Sequence, residues 1–366
     1  MASLLEPGSH RAAGVVDDDA LVEALVRVEA AWLRVLGLPD ELKAVEPPAA
    51  EVEAAGNPVL PLVKSLQAEG VHRGLTSQDV LDTALMLLAR EAVTRVVGDL
   101  DRVADSLAGL ASEHRASVMA GRTLTQYAVP VTFGLKAAQW LTGVLDARDA
   151  LQAVTLPVQC GGAAGTLALV GELLPDPIAA VRALAAELDL VAPELSWHTR
   201  RTPVTRLGDA LVETCDALGH LAGDVLLLGR PEVGEVRDTS AGGSSTMPHK
   251  ENPVLSVLVR SAALQAPQLG AQLHLCAADS QDERSPGAWH AEWPALRRLL
   301  ELTITASSQA ADLVGGLEVN AEVMRRRVES VAADLVSERG TSSDPASYLG
   351  ATDALIDLAL ARWRKS

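Results

Sequence analysis

From residue 80 to 114 the sequence keeps one apolar stripe in helical register, with Leu81, Leu85, Leu88, Ala92, Val96, Val103, Leu107 and Leu110 recurring every three or four residues or their sum. At the rise of an α-helix such a rod is about 50 Å long, too long for a small globule and ordinary for an extended bundle. Residues 130–151, 205–228, 253–275 and 297–314 repeat the pattern, and 17–37 forms a shorter amphipathic helix opened by Asp17 and closed by Gly37. Residues 49–56 add a short helix broken by Asn57 and Pro58. These runs predict an all-α fold with a central long-helix bundle at 76–316, an N-terminal helical domain at 1–75 and a C-terminal helical region at 317–366.

Composition narrows the function. Apolar residues supply 48% of the chain, so a core is not in short supply. Six Trp, two Tyr and one Phe are too few aromatics for an all-β core or for a stacking platform on single-stranded nucleic acid. A net charge of −17 argues against nucleic acid or an anionic membrane as the main partner, while leaving room for a local cationic pocket. Cys160, Cys215 and Cys276 are too scattered for a disulfide framework, and the first residues lack a basic segment followed by an apolar run, so a cytoplasmic protein is expected. Residues 150–171 carry no charge, yet Gln152, Pro157, Gln159, Gly161 and Gly162 make them a buried loop and helix start rather than a membrane span. The eight histidines are dispersed and no HExxH or Cys-rich pattern occurs, so the sequence calls for neither metal nor cofactor.

Polar chemistry collects at the breaks between helices: VHRGLTSQD at 71–79, AGRTLTQ at 120–126, EVRDTSAGGSSTMPHKENP at 235–253 and DSQDERSPGAWHAEW at 279–293. The third is the sharpest. Its glycines expose backbone N–H groups, Pro248 and Pro253 stop a regular helix, and a hydroxyl, an ammonium and an amide stand within nine residues, a set suited to holding a carboxylate and charge developing on it. By composition alone the same stretch also reads as a Gly/Ser surface linker.

GSSTMPHKENP resembles the signature loop of the fumarase, aspartase, argininosuccinate lyase and adenylosuccinate lyase superfamily, VHRGLTSQDVLDTA its second conserved region and AGRTLTQYAVP its GRTHxQxAxP region, all in the same order along the chain. Within that superfamily, QCGGAAGTLA at 159–168, the ERS to WHAEW run at 283–293 and the ending DPASYLGATDALIDLALARW are most similar to the bacterial 3-carboxy-cis,cis-muconate cycloisomerases. The resemblance implies a three-domain helical subunit in a homotetramer, with sites shared among three subunits and a small tricarboxylate as substrate. It implies interconversion of 3-carboxy-cis,cis-muconate and 4-carboxymuconolactone through an aci-carboxylate. Ser244 maps to the base, and Lys250 and Asn252 to the groups that hold the carboxylate and its charge. A serine hydroxyl is a weak base unless its alkoxide is stabilised, which gives Lys250 and the loop N–H groups a task beyond docking. Substrate contacts map to His72, Thr76, Ser77, Thr123, Gln126, Gln159, Ser245, Met247, Arg284 and His290. Arg122 is either an anion clamp or an interface ion pair, Asp79 braces the Thr76–Ser77 turn, and Trp289 and Trp293 are packing groups.

One departure carries chemical information. Where adenylosuccinate lyases place a general-acid His and the Glu that holds it, this chain has Leu124 and Val257, neither of which can transfer a proton, and Leu124 is expected to stand in an apolar position. Expelling an amine needs a proton donor, but a carboxylate, whose conjugate acid has a pKa of about 4, leaves unaided. The missing pair therefore favours lactonisation over an argininosuccinate- or adenylosuccinate-type lyase. The shortened end keeps a noncatalytic oligomeric homologue as the third alternative.

Overall fold

Asp17 caps the first long helix by accepting the Ala20 N–H at 3.0 Å, and the Gly14 N–H bond adds to this in holding its carboxyl below the usual range. The computed structural model describes residues 4–43, 45–240, 242–243, 251–340 and 344–365. In chain order the helices are α1 (Asp18–Val35), α2 (Ala49–Ala55), α3 (Val59–Leu66), α4 (Ser77–Glu113), α5 (Phe133–Gln152), α6 (Ala168–Leu173), α7 (Pro177–Leu188), α8 (Thr202–Leu228), α9 (Val254–Ala278), α10 (Ala288–Gly315), α11 (Ala321–Ser330), α12 (Ala332–Leu335) and α13 (Thr352–Trp363). The strands are β1 (Val118–Thr123), β2 (Gln126–Thr132), β3 (Val236–Asp238), β4 (Gly242–Gly243), β5 (Glu251–Asn252) and β6 (Leu317–Val319), paired antiparallel as β1–β2, β3–β6 and β4–β5. The chain is mostly helical, as the periodicity predicts, and none of the described helices is long and apolar enough to cross a membrane.

Packing divides the chain into two units, each assembled from three stretches: Met1–Arg95, Ala153–Leu211 and Pro267–Ile304 in the first, Val96–Gln152, Val212–Ala266 and Thr305–Ser366 in the second. In the first unit Trp32, Leu25, Leu62, Leu81 and Trp197 are fully buried, and the Trp32 indole N–H donates to the Arg73 carbonyl at 2.8 Å. Burying that ring without a partner for its N–H would cost the group its hydration.

In the second unit Phe133 packs edge-on to His114 and Trp140 with centroids 5.5 and 5.7 Å away. α13 lies against α5 and is tied down by ion pairs of Arg115 with Asp353 and Asp357 and of Arg362 with Asp146 and Asp149.

One expected loop is corrected in a way that bears on the site. AGRTLTQ, read as a polar loop, is the turn of the β1–β2 hairpin. Its register slips between Ala120 and Arg122, and a Cβ on Gly121 would lie 2.5 Å from the Val129 carbonyl oxygen, so the bulge accepts only glycine. Ala120 at the hairpin's base packs with Val328 and Leu335 from α11 and α12.

Candidate active site

Unit 1 collects its candidate residues around two buried carboxylates at the start of α4. Asp79 accepts N–H bonds from Thr76, Gly161 and Gly162 at 3.0, 2.9 and 2.9 Å and a ring contact from His198 Nε2 at 2.8 Å. One carboxylate thus fixes the Thr76–Ser77 turn, the glycine loop and His198, with Asp79 reaching back to the Thr76 N–H as a capping-box acid does. Glycine is required at 161, where a Cβ would meet Ser196 Cβ at 2.7 Å and His198 Cε1 at 2.8 Å. Thr76 and Ser77 are half-buried, so the turn Asp79 braces still has its hydroxyl side chains near the surface.

His72 stands in the left-handed region at φ 61°. Its own N–H and its ring Nδ1 both engage the fully buried Glu29 carboxylate, at 2.8 and 2.7 Å. With Nδ1–H donated to Glu29, Nε2 is the nitrogen turned to other work, which is the tautomer control seen wherever a carboxylate orients an imidazole.

Asp82, one turn beyond Asp79, anchors a second network. Arg201 donates to it through Nη1 at 2.6 Å and Nη2 at 3.1 Å, Trp289 through its indole N–H at 2.9 Å and Gln159 through Nε2 at 3.3 Å. The same guanidinium makes a second bidentate pair with Glu292 and covers the Trp197 ring at 4.7 Å. Two buried carboxylates share one buried cation here, and burial pushes the Glu292 carboxyl above its usual range despite Arg201. The WHAEW segment is therefore a structural signature in this fold: its Trp289 and Glu292 serve the buried cluster.

Gln159 likewise uses both ends of its amide inside the chain, since Oε1 accepts the Trp197 N–H at 2.9 Å. It is a buried brace in this chain. Arg284 is exposed and donates to the Ala163 carbonyl at 3.3 Å; His290 is exposed with its ring against Trp289 and Trp293.

Unit 2 holds the other candidates. Thr123 and Gln126 are exposed and paired across the hairpin's two-residue turn. The turn residues Leu124 and Thr125 have φ of 50° and 70°, the sign pattern of a type I′ turn that normally selects Asn-Gly. Holding residues with a Cβ there costs about 1–2 kcal/mol each, and the β-branched Thr125 is a true outlier. Leu124 is 96% exposed and Val257 52% exposed, which puts Leu124, expected in an apolar position, at the surface of the chain.

Arg122 spends its fork on the fully buried Glu235, at 3.0 and 2.8 Å, an ion pair within this chain. Burial works against its charge, and the Glu235 bonds more than offset this, holding the guanidinium protonated above its usual range.

The residues flanking the signature loop form the β4–β5 ladder, in which Gly242 pairs with Asn252 and Gly243 with Glu251. Arg237 on β3 pairs with Glu251 and Glu318, at 3.4 and 2.8 Å, and so links the stem to β6. Asn252 is half-buried at the foot of that stem. Ser244, Ser245, Met247 and Lys250 lie outside the described residues.

Residues 48–267 match the lyase family, which is more than half of the chain. The chain belongs to the fumarase/aspartase lyase superfamily. It is 46% identical over 354 residues to a nitrosuccinate lyase of Streptomyces davaonensis, covering 90% of this chain and 74% of that one. A 3-carboxy-cis,cis-muconate cycloisomerase of Bradyrhizobium diazoefficiens is 40% identical over 86% of this chain and 73% of its own. The crystal structure of the 3-carboxy-cis,cis-muconate lactonizing enzyme from Pseudomonas putida superposes with a TM-score of 0.84 at 30% identity, covering 96% of each chain. In this member of the superfamily, sequence reasoning missed Glu29, Asp82, His198, Arg201 and Glu235. Each is a buried polar residue whose partner lies far along the chain, and only their spacing from a recognised motif hints at them.

Proposed function

We propose that this lyase catalyses reversible addition and elimination next to a carboxylate with a weakly basic leaving group, and that its reaction is the interconversion of 3-carboxy-cis,cis-muconate and 4-carboxymuconolactone. The observation that carries this is the pair Leu124 and Val257 at the positions of the superfamily's acid and its partner. In the lactonising direction an internal carboxylate oxygen bonds to the β carbon, the alkene electrons move onto a second carboxylate as a dianion, and Ser244 returns a proton to the α carbon. Lys250 and Asn252 hold the dianion, and Thr76, Ser77, Thr123 and Gln126 bind the remaining carboxylate oxygens. No step asks for a proton on the departing carboxylate in reverse.

Elimination from nitrosuccinate is the second reading, favoured by the 46% identity to that lyase. It obeys the same rule: the α proton goes to the base, the C–N bond breaks, and nitrite leaves as the anion of a weak acid. Following diene absorbance with the muconate and nitrite release from nitrosuccinate separates the two. The double variant Leu124→His, Val257→Glu is expected to gain nothing on either substrate. A rise in kcat/KM of tenfold or more, about 1.4 kcal/mol, or wild-type turnover of adenylosuccinate, would overturn the weak-leaving-group reading.

The proposal includes a homotetramer formed through the long helices. On α9, exposed positions fall at Val254, Val257, Ser261, Leu264, Gln268, Ala271, Leu275 and Ala278, an alternating three–four spacing. Leu264 and Leu275 are 68% and 71% exposed on that seam, the arrangement of a coiled-coil face awaiting another helix. Sedimentation at micromolar concentration is expected to give a tetramer that Leu264→Glu disrupts; a fully active monomer would defeat this assembly.

A further inference from the structure

We infer that Glu235, with Arg122 and Arg327, is a positioning device that holds the strained tip of the β1–β2 hairpin so that Thr123 and Gln126 face substrate. The inference rests on the reading of Thr123 and Gln126 as substrate contacts. Two independent observations meet here. The first is the tip itself, where Leu124 and Thr125 occupy a conformation that residues with a Cβ avoid. Such strain persists only where the surroundings over-determine it, and it concentrates at functional segments.

The second is the anchorage beneath the tip. Glu235 is fully buried, at the head of the 235–253 segment and ahead of its GSSTMPHKENP motif, and among the described residues its carboxylate is engaged by arginines. Its carboxylate takes both arms of Arg122 and lies 3.1 Å from Arg327 Nε. Arg327 also donates through Nη2 to the carbonyls of Glu232 and Val233, each at 2.8 Å, and through Nη1 to the Tyr127 hydroxyl at 3.4 Å. Tyr127 is the cross-strand partner of Arg122, whose guanidinium lies over its ring at 5.7 Å. Both strands of the hairpin are therefore gripped immediately below the turn, β1 through Arg122 and β2 through Tyr127. The Glu235 backbone is fixed too, its N–H donating to Leu228 and its carbonyl accepting from Asn320, at 3.0 and 2.9 Å. A buried carboxylate held at both its backbone and its side chain is a rigid post, and bidentate arginine pairing sets direction as well as distance.

Hydrogen exchange and kinetics on the full-length chain test this together. Glu235→Gln keeps the shape of the side chain and removes its charge. Amides of residues 118–132 are expected to exchange at least tenfold faster, while those of α5 stay within twofold of wild type. kcat/KM for the substrate turned over is expected to fall at least tenfold, mainly through KM, because binding contacts and not the base are displaced. Adding Leu124→Asn and Thr125→Gly to Glu235→Gln supplies a turn sequence without strain; it is expected to restore hairpin protection and to recover KM to within about threefold of wild type. General destabilisation predicts no such recovery once all proteins are assayed at a temperature where circular dichroism shows them fully folded. Should Glu235→Gln fail to fold, Arg122→Lys, which keeps the charge and loses the fork, replaces it with the same expectations. Unchanged hairpin exchange overturns the inference, and so does a loosened hairpin with wild-type KM. Absence of wild-type turnover on every substrate defeats the proposed function instead, and the exchange data still decide whether the clamp holds the tip.

Discussion

Ser244→Ala is expected to leave a folded tetramer whose turnover is lower by about 10²- to 10⁴-fold, the usual loss when one essential proton-transfer group is removed. The reaction proposed for this chain has a single proton to move at carbon, and that transfer is the one assigned to Ser244. The loop that carries Ser244 is closed at its base by the Gly242–Asn252 and Gly243–Glu251 pairing, so the substitution lies beyond the stem and leaves that ladder intact. Lys250→Ala is expected to lower kcat and raise KM together, since an ammonium that stabilises the dianion also binds the carboxylate it grows from. Sedimentation and thermal unfolding establish that each variant is assembled. Turnover of Ser244→Ala near the wild-type rate rejects Ser244 as the base.

Arg201→Met is expected to destabilise the chain by about 3–5 kcal/mol, read as the shift in the denaturant midpoint, because it leaves Asp82 and Glu292 buried with no cation. Both carboxylates are almost fully inaccessible, and each takes two bonds from the same guanidinium. Glu292→Gln is expected to cost less, since an amide oxygen still accepts from Arg201 and the surplus negative charge is gone. The two variants also differ in their response to pH. Burial raises the Glu292 carboxyl above the ordinary glutamate value of 4.5, so between 4.5 and the raised value the folded chain binds more protons than the unfolded one. This residue's contribution therefore weakens stability as pH rises through that interval and is fully unfavourable above it. Glu292→Gln removes that component, and a pH series of denaturant midpoints that keeps the same slope in wild type and variant would falsify the assignment.

Helices were legible because their cores repeat locally: α4 follows the stripe of Leu81, Leu85 and Leu88, and α1 and α2 begin and end at the residues that cap them. The hairpin was not, because Gly121 interrupts the alternation at the bulge, and Leu124 and Thr125 are poor turn residues. Motif residues such as Thr76 and Thr123 could be named from their sequence context, but their supports could not. Asp82 and Arg201 are 119 positions apart, and Arg122 and Glu235 are 113 apart, with no local pattern marking either pair. The inward turn of Gln159 was equally hidden: a polar residue in a recognised segment is buried, because an amide there satisfies both Asp82 and the Trp197 N–H.

The return of α13 to α5, with Arg115 bonded to Asp357 across 242 positions, sets an order of events during synthesis. A ribosome adding about 5–20 residues per second takes roughly 5–20 s to travel from Glu235 to Arg327. Throughout that interval the nascent chain holds the hairpin, α5 and Glu235 without α11, α12 or α13, so Glu235 has one guanidinium and the face of α5 that receives α13 is bare. Non-local closure of this kind is slow as well as late. The second unit consequently completes itself only once α11 to α13 have been made, and until then its uncovered apolar surface is open to aggregation.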